Sequence, residues 1–363
     1  MKVSYDSQKP YNELPLLPPI QELENKNILK KAIAANKALA ELNCLSALLP
    51  NSLVLVNVIG LQEAKLSSEI ENVVTTNDAL YKAYSNELEC TDPQTKEVLR
   101  YKEALWHGYL MLEEGRPISI RLMEELYRIV KQAGGGIRKH SGTKLSNMSG
   151  KIIYTPPEGE EVIREKLKNL EQYINDDFDA DIDPLIKLPI IHYQFEAIHP
   201  FSDGNGRVGR IINILYLIDK GLLTYPVLYL SKYIIENKEK YYSGLRKVTE
   251  DGKWEEWILY ILSAVEYTAK LTKEKILKIK EQFEADVELI KEQLPKFYSK
   301  DLLEVIYEHP YCKISFLEKR GVAKRQTASK YLKALSELGV LKAVKVGKEY
   351  YYINEKFLQI LIS

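Results

Sequence analysis

Cysteine is scarce in this 363-residue chain, and the three present, Cys44, Cys90 and Cys312, stand far apart without any CxxC spacing. That excludes a disulfide framework and a cysteine-based zinc site, and it is the pattern of reduced thiols in a cytosolic protein. Histidine is sparse as well: His107, His140, His192, His199 and His309 form neither HxxxH nor HExxH, so no zinc site is expected. No apolar run reaches the roughly 18 residues of a membrane span, and the start of the chain leads into polar, proline-rich sequence rather than a secretory leader. Net charge is missing too. With 51 basic and 51 acidic residues, affinity for a polyanion has to come from local charge.

What the chain does have is apolar and charged residues in globular proportion, 45% and 28%, and a length that implies about two or three domains. Residues 10–20, with Pro10, Pro15, Pro18 and Pro19 among leucines, read as an extended arm packed across the surface, because proline fixes φ and removes a donor. Helical spacing of Ile28, Ala32, Ala35, Leu39 and Leu42 predicts a helix over 22–48. Pro50, Asn51 and Ser52 supply a stop and a fresh cap for the apolar run 53–59, and residues 63–72 read as an amphipathic helix end. Thr75 to Asp78 offer further caps. Residues 95–132 read as two helices broken at Gly115 and Pro117, Gly134–Gly136 ends the second, and residues 139–157 read as a short hairpin. An acidic loop, 176–183, reads as solvated surface rather than a cation site, and the strongly apolar stretch 185–198 is a helix that delivers His199. Long helical sequence follows from Trp254 to Leu294.

The densest chemistry lies in residues 199–210, HPFSDGNGRVGR, directly before the apolar run 211–218. Glycines let backbone N–H groups approach an anion closely, and a helix N-terminus adds free donors and a positive dipole end, so phosphate is the natural ligand. Asp203 beside such a loop suits magnesium, which takes oxygen donors shared with substrate phosphates. Arg207 and Arg210, three apart, reach two neighbouring phosphates, and His199 is placed to take a proton from an attacking hydroxyl.

These twelve residues match the HPFxDGNGRxxR signature of the Fic family, whose members mostly move AMP from ATP to hydroxyl side chains of proteins, and the chain is identified as resembling that family along most of its length. The resemblance implies His199 as the base, Asp203 as the magnesium ligand, Gly204, Asn205, Gly206 and Arg207 at the α- and β-phosphates, and Arg210 at the γ-phosphate. It implies that the hairpin with Ser146, Ile152, Ile153 and Tyr154 holds the target segment by strand pairing, and that Tyr241 and Tyr242 flank the adenine. Ser67 and Glu71, one helical turn apart, fit the family's [S/T]xxxE[G/N] inhibitory motif. By resemblance Glu71 pairs with Arg210 and leaves a resting enzyme of low activity. Removal of AMP from modified proteins by the same site stays open beside transfer, and dimers are frequent among relatives.

The last segment changes character. Helices near 302–307, 314–322 and 323–338, then strands 340–346 and 348–353, make a winged-helix order. Residues 296–350 hold twelve Lys/Arg against six Asp/Glu, about +6, so the neutral total hides a basic end. DNA reading through Lys324, Arg325 and Lys330, which would make the chain a transcriptional regulator, and protein docking remain open together. The expectation is therefore a mostly α protein: a Fic-type helical core with a short β-hairpin flap, plus a small winged helix. Its units are 1–95, an N-terminal arm and helical region; 96–265, the catalytic core; 266–295, a linking helix; and 296–363, the winged helix.

Overall fold

The computed structural model describes residues 5–47, 52–85, 92–132, 134–147, 149–175, 182–346 and 349–362. Pro50 and Asn51, Cys90, residues 176–181 of the acidic loop and the wing turn at 347–348 lie outside them. The chain is mostly helical, with two small antiparallel sheets.

Two helices form the centre. α7 (Pro184–Ile198) is apolar on nearly all faces, and α8 (Asn205–Asp219) is buried along most of its length, as suits helices enclosed by others. Around this pair stand α2 (Ser52–Ile70), α4 (Pro93–Glu113), α5 (Ile120–Lys131) and α6 (Glu160–Asn175). The breaks are chemical. Asp92 caps α4, with Pro93 at its first position, and Ser119 caps α5. The 40-residue α11 (Trp254–Gln293) lies along α1 (Lys26–Ala47) and also touches α7, α9 (Leu230–Glu236) and α10 (Lys238–Asp251).

The proline arm is indeed packed. Leu14 and Leu17 are buried, Lys166 of α6 donates to the Leu14 carbonyl at 2.8 Å, and Asn169 bonds both the N–H and C=O of Leu17. The hairpin is short: β1 (Leu145–Ser146) and β2 (Ile152–Tyr154) are closed by Asn147, whose side chain accepts from Ser149 and Lys151.

At the C-terminal end α12 (Lys300–Glu308), α13 (Ile314–Lys319) and α14 (Arg325–Glu337) precede β4 (Lys342–Val346) and β5 (Glu349–Ile353). Three helices followed by a hairpin is the order expected from the sequence, with two additions absent from that reading. β3 (Tyr311–Cys312) pairs with the free edge of β5, giving sheet order β3-β5-β4, and α15 (Glu355–Ile362) follows the wing. Two residues are too few to show strand alternation. The unit does not hang from a linker. α12 and α15 pack on α2, and β3 packs on α3 (Asn77–Ser85), where Tyr311 stacks on Tyr81 and donates to Asp78 at 2.8 Å. Cys44 and Cys312 are free thiols. Among the described residues no helix is long and apolar enough to cross a membrane.

Candidate active site

His199 ends α7 in a left-handed conformation, φ 49°, which turns the chain sharply into the loop before α8. Arg138 fixes that turn. Its guanidinium donates to the carbonyls of His199, at 2.8 Å, Ile198 and Pro157, and its own N–H bonds Pro200 O at 2.9 Å. No spacing in the sequence marks Arg138. Burial, reinforced by the Arg138 charge and opposed by a backbone contact with Glu196, pushes the His199 imidazole down to about 4, so it is neutral near pH 7.

Asn205 accepts from the Phe201 N–H and donates to the Phe201 carbonyl, each at 2.8 Å. Its side-chain amide thus braces the loop, and only its backbone N–H faces the uncapped first turn of α8. Gly204 opens α8 at φ 75°, and no side chain caps the helix, which leaves its first turn open to an anion. One anion is already there. A Cβ on Gly206 would stand 2.2 Å from Glu71 Oε1, so only glycine lets that carboxylate lie against the turn. Glu71 also accepts from Arg210 Nη2 at 2.9 Å. Ser67, one turn back on α2, takes the Arg210 Nε with its hydroxyl at 2.7 Å and Nη2 with its carbonyl at 2.9 Å. Arg210 is only 1% exposed.

Arg207, equally buried, faces the other way. It pairs with Glu97 of α4, and Glu97 also holds Lys131, which reaches on to Asp203 Oδ2 at 2.7 Å. Glu97 and Lys131 lay unmarked on helices whose charges read as ordinary surface. The Asp203 side chain is 65% exposed, its other oxygen accepting from the Gly204 N–H. Among the described residues no group of three or more His, Cys, Asp or Glu side chains could hold a metal ion by itself. One exposed carboxylate beside an anion site fits an ion that completes its shell from substrate phosphates.

A cavity of about 790 Å³ brings His199, Gly206, Glu71, Glu196, Tyr241 and Tyr242 together, with the hairpin at its mouth. Ser146, Ile153 and Tyr154 line it; Ile152, Ser67, Asp203, Gly204, Asn205, Arg207 and Arg210 do not. Tyr241 is buried, its hydroxyl 2.8 Å from His192 Nε2, whereas Tyr242 is 41% exposed. Further back on α2, Glu63 accepts from the Ser231 N–H and hydroxyl and from Tyr101, a fully enclosed carboxyl raised by burial.

Glu196 is the group that sequence reading missed on the cavity wall. Desolvation raises its carboxyl to about 8, with the Arg210 charge opposing and Glu71 adding to the rise. A folded-state pKa above the unfolded value near 4.5 contributes stability that is present in full below about pH 4.5 and lost as pH climbs through about 8. The melting temperature should therefore fall between pH 5 and 9, and Glu196→Gln should flatten that fall. Parallel pH curves for the two proteins would exclude a neutral Glu196.

Residues 29–110 match the Fic/DOC family N-terminal model, 116–217 the Fic/DOC family model, and 283–357 the model of the C-terminal domain of SoFic-like protein adenylyltransferases. The chain is similar to a probable protein adenylyltransferase of Aquifex aeolicus, 28% identical over 194 residues that cover 52% of this chain and 55% of that protein. It is also similar to protein adenylyltransferase fic-1 of Caenorhabditis elegans, 31% identical over 105 residues, 29% of this chain and 19% of that one. The matched region thus spans about half the length of the first relative and a fifth of the second. A crystal structure of a Fic family protein from Desulfovibrio desulfuricans shares the fold, with TM-score 0.57, 17% identity, and coverage of 93% of this chain and 98% of that one. With the signature loop seated at the start of α8 and consecutive family matches covering the N-terminal, central and C-terminal parts, the chain belongs to the Fic/DOC family.

Proposed function

We propose that the protein is a nucleotidyltransferase that moves AMP from ATP to a Tyr, Thr or Ser hydroxyl of a target protein, and that Glu71 restrains it. One observation carries this reading: a neutral His199, the open first turn of α8 at Gly206 and the hairpin strand border a single cavity. A proton acceptor, an anion seat and a strand for a target backbone around one space are what this reading needs.

In this reading His199 takes the proton of the target hydroxyl. The N-terminal turn of α8, from Gly204 through Gly206 to Arg207, holds the α- and β-phosphates, and Arg210 holds the γ-phosphate once Glu71 leaves. Tyr242, with the ring of Tyr241, walls the adenine. Asp203 would hold magnesium together with the phosphates, and the ion would neutralise charge on the departing pyrophosphate. Lys131, already on Asp203, keeps that carboxylate oriented. The hairpin residues Ser146, Ile152, Ile153 and Tyr154 frame the target segment. The units 1–95, 96–265, 266–295 and 296–363 belong to the same proposal, as do a homodimer and a cytoplasmic setting.

The test is ATP labelled at the α-phosphate. Label retained on protein with pyrophosphate released supports the reading, and label retained from γ-labelled but not from α-labelled ATP would make the enzyme a kinase instead.

A second reading concerns the C-terminal unit. Lys324, Arg325, Lys330 and Lys333 lie exposed on or beside α14, with Lys345 on the wing, a basic face suited to phosphates. Duplex DNA should bind the full chain at low salt and leave steeply as salt rises. Absence of low-salt binding would remove this reading in favour of protein docking.

A further inference from the structure

The hairpin strand β2 has two edges, and its outer one is occupied. Ile152 and Tyr154 are the residues paired with β1 across a register irregularity, and the carbonyls of Ile153 and of Thr155, just past the strand, are bonded elsewhere. Both are taken by the chain's own N-terminal arm. Tyr5 donates its hydroxyl to Ile153 O at 3.0 Å, Tyr11 donates its N–H to Thr155 O at 3.0 Å, and Thr155 Oγ1 donates back to Ser7 O at 2.7 Å. Residues 5–11 thus lie where an extended target peptide would be held, and Tyr5 lines the same cavity as His199 and Gly206.

Resting on the AMP-transfer reading, we propose that Tyr5 is a modification site: the arm is a resident target segment whose phenol receives AMP within the same chain. The Tyr5 oxygen bonds to the α-phosphorus of ATP, the bond from that phosphorus to the β-phosphate oxygen breaks, the phenol proton passes to His199, and pyrophosphate leaves.

Three other tyrosine hydroxyls on the cavity wall are committed to the body of the protein, whereas Ser146, Tyr242 and Ser243 also line it and are the rival acceptors. Tyr154 donates to Ala197 O at 2.8 Å, Tyr193 is 2.9 Å from Thr249 Oγ1, and Tyr241 is 2.8 Å from His192 Nε2. Tyr5 stands on a segment with no helix or strand of its own, because residues 5–25 form neither. Tyr5 is held by its bond to Ile153 O and by ring contacts with Tyr11 and Tyr154, so moving the phenol within the cavity means giving up those contacts but not unfolding an element. Burial raises the Tyr5 phenol, so it arrives protonated and needs the base that a neutral imidazole supplies. Addition of AMP also sets the negative charge of a phosphodiester, with a bulky nucleoside, against the rings of Tyr11 and Tyr154, which argues that the arm leaves the strand edge after modification and opens it to other targets.

The experiment uses full-length Glu71→Gly protein with α-labelled ATP, alone and with a cytosolic extract, followed by peptide mapping. AMP on Tyr5 of the otherwise unchanged arm, with a self-labelling rate per molecule constant over a hundredfold dilution, is the expected result. Tyr5→Phe should lower self-labelling at least tenfold. Extract proteins labelled without Tyr5, AMP on Ser146 or Tyr242 instead, or a rate that grows with protein concentration would each overturn the proposal while leaving the transfer reading intact. No label on any protein overturns both.

Discussion

Replacing Glu71 by glycine is expected to raise AMP transfer by about 10²-fold, the cost that a misplaced reacting group commonly imposes. The Glu71 carboxylate lies against Gly206 and accepts from Arg210 at 2.9 Å, so it sits in the seat that the reading assigns to phosphate. In the proposed reading, ATP bound beside it takes a pose in which the α-phosphorus is not in line. Removing the acid does not free Arg210 to collapse, because Ser67 still holds its Nε and Nη2. The substitution also strips a counter-charge from a guanidinium that is 1% exposed, and breaking one side of such a pair destabilises. Activity should therefore rise while the melting temperature falls, and ATP should restore part of the loss by binding the folded state. A rate equal to that of the unsubstituted protein would remove the inhibitory role. If instead the same site mainly strips AMP from modified proteins, with Glu71 orienting water, the glycine protein should lose that removal while transfer stays flat.

Replacing His199 by alanine in the Glu71→Gly background should lower transfer by about 10²–10⁴-fold, the usual worth of a positioned general base. ATP binding should persist, since no phosphate contact is assigned to the imidazole. The pH profile separates a base from a structural residue. With the imidazole pushed down to about 4, its neutral, proton-accepting form dominates at every pH above about 5. The rate should stay level from pH 6 to 8 and fall only as pH drops through about 4. An inflection near the ordinary histidine value of 6.5 would mean that His199 is solvated in the working enzyme, and undiminished transfer by the alanine protein would dismiss it as the base.

Much of this site could be read from local sequence because local chemistry builds it. Gly204 and Gly206 permit a turn and a close anion approach that other residues obstruct, and the apolar run after Arg210 marks a buried helix wherever it packs. The breaks at Asp92–Pro93 and Ser119 follow from capping, which depends on three or four neighbouring residues. Arg138, Glu97, Lys131 and Glu196 left no such mark. Each is a charged residue in unremarkable surroundings whose partner comes from a distant element: Arg138 meets His199 61 positions away, and Arg207 meets Glu97 110 away. Asn205 was legible as a loop residue, but the direction of its amide, inward to Phe201, depends on how the loop closes.

By itself the sequence determined the helical class, the order of the main helices and of the two hairpins, the glycine-rich loop with its histidine, and the shared helix face of Ser67 and Glu71, because periodicity, caps and glycine conformations act within a few residues. Only the tertiary structure decided that the C-terminal unit packs on α2 and α3, that the N-terminal arm covers the hairpin edge, and which carboxylate each arginine holds. Those outcomes turn on burial, which raises Glu196 and lowers His199, and on hydrogen bonds between segments far apart in the chain.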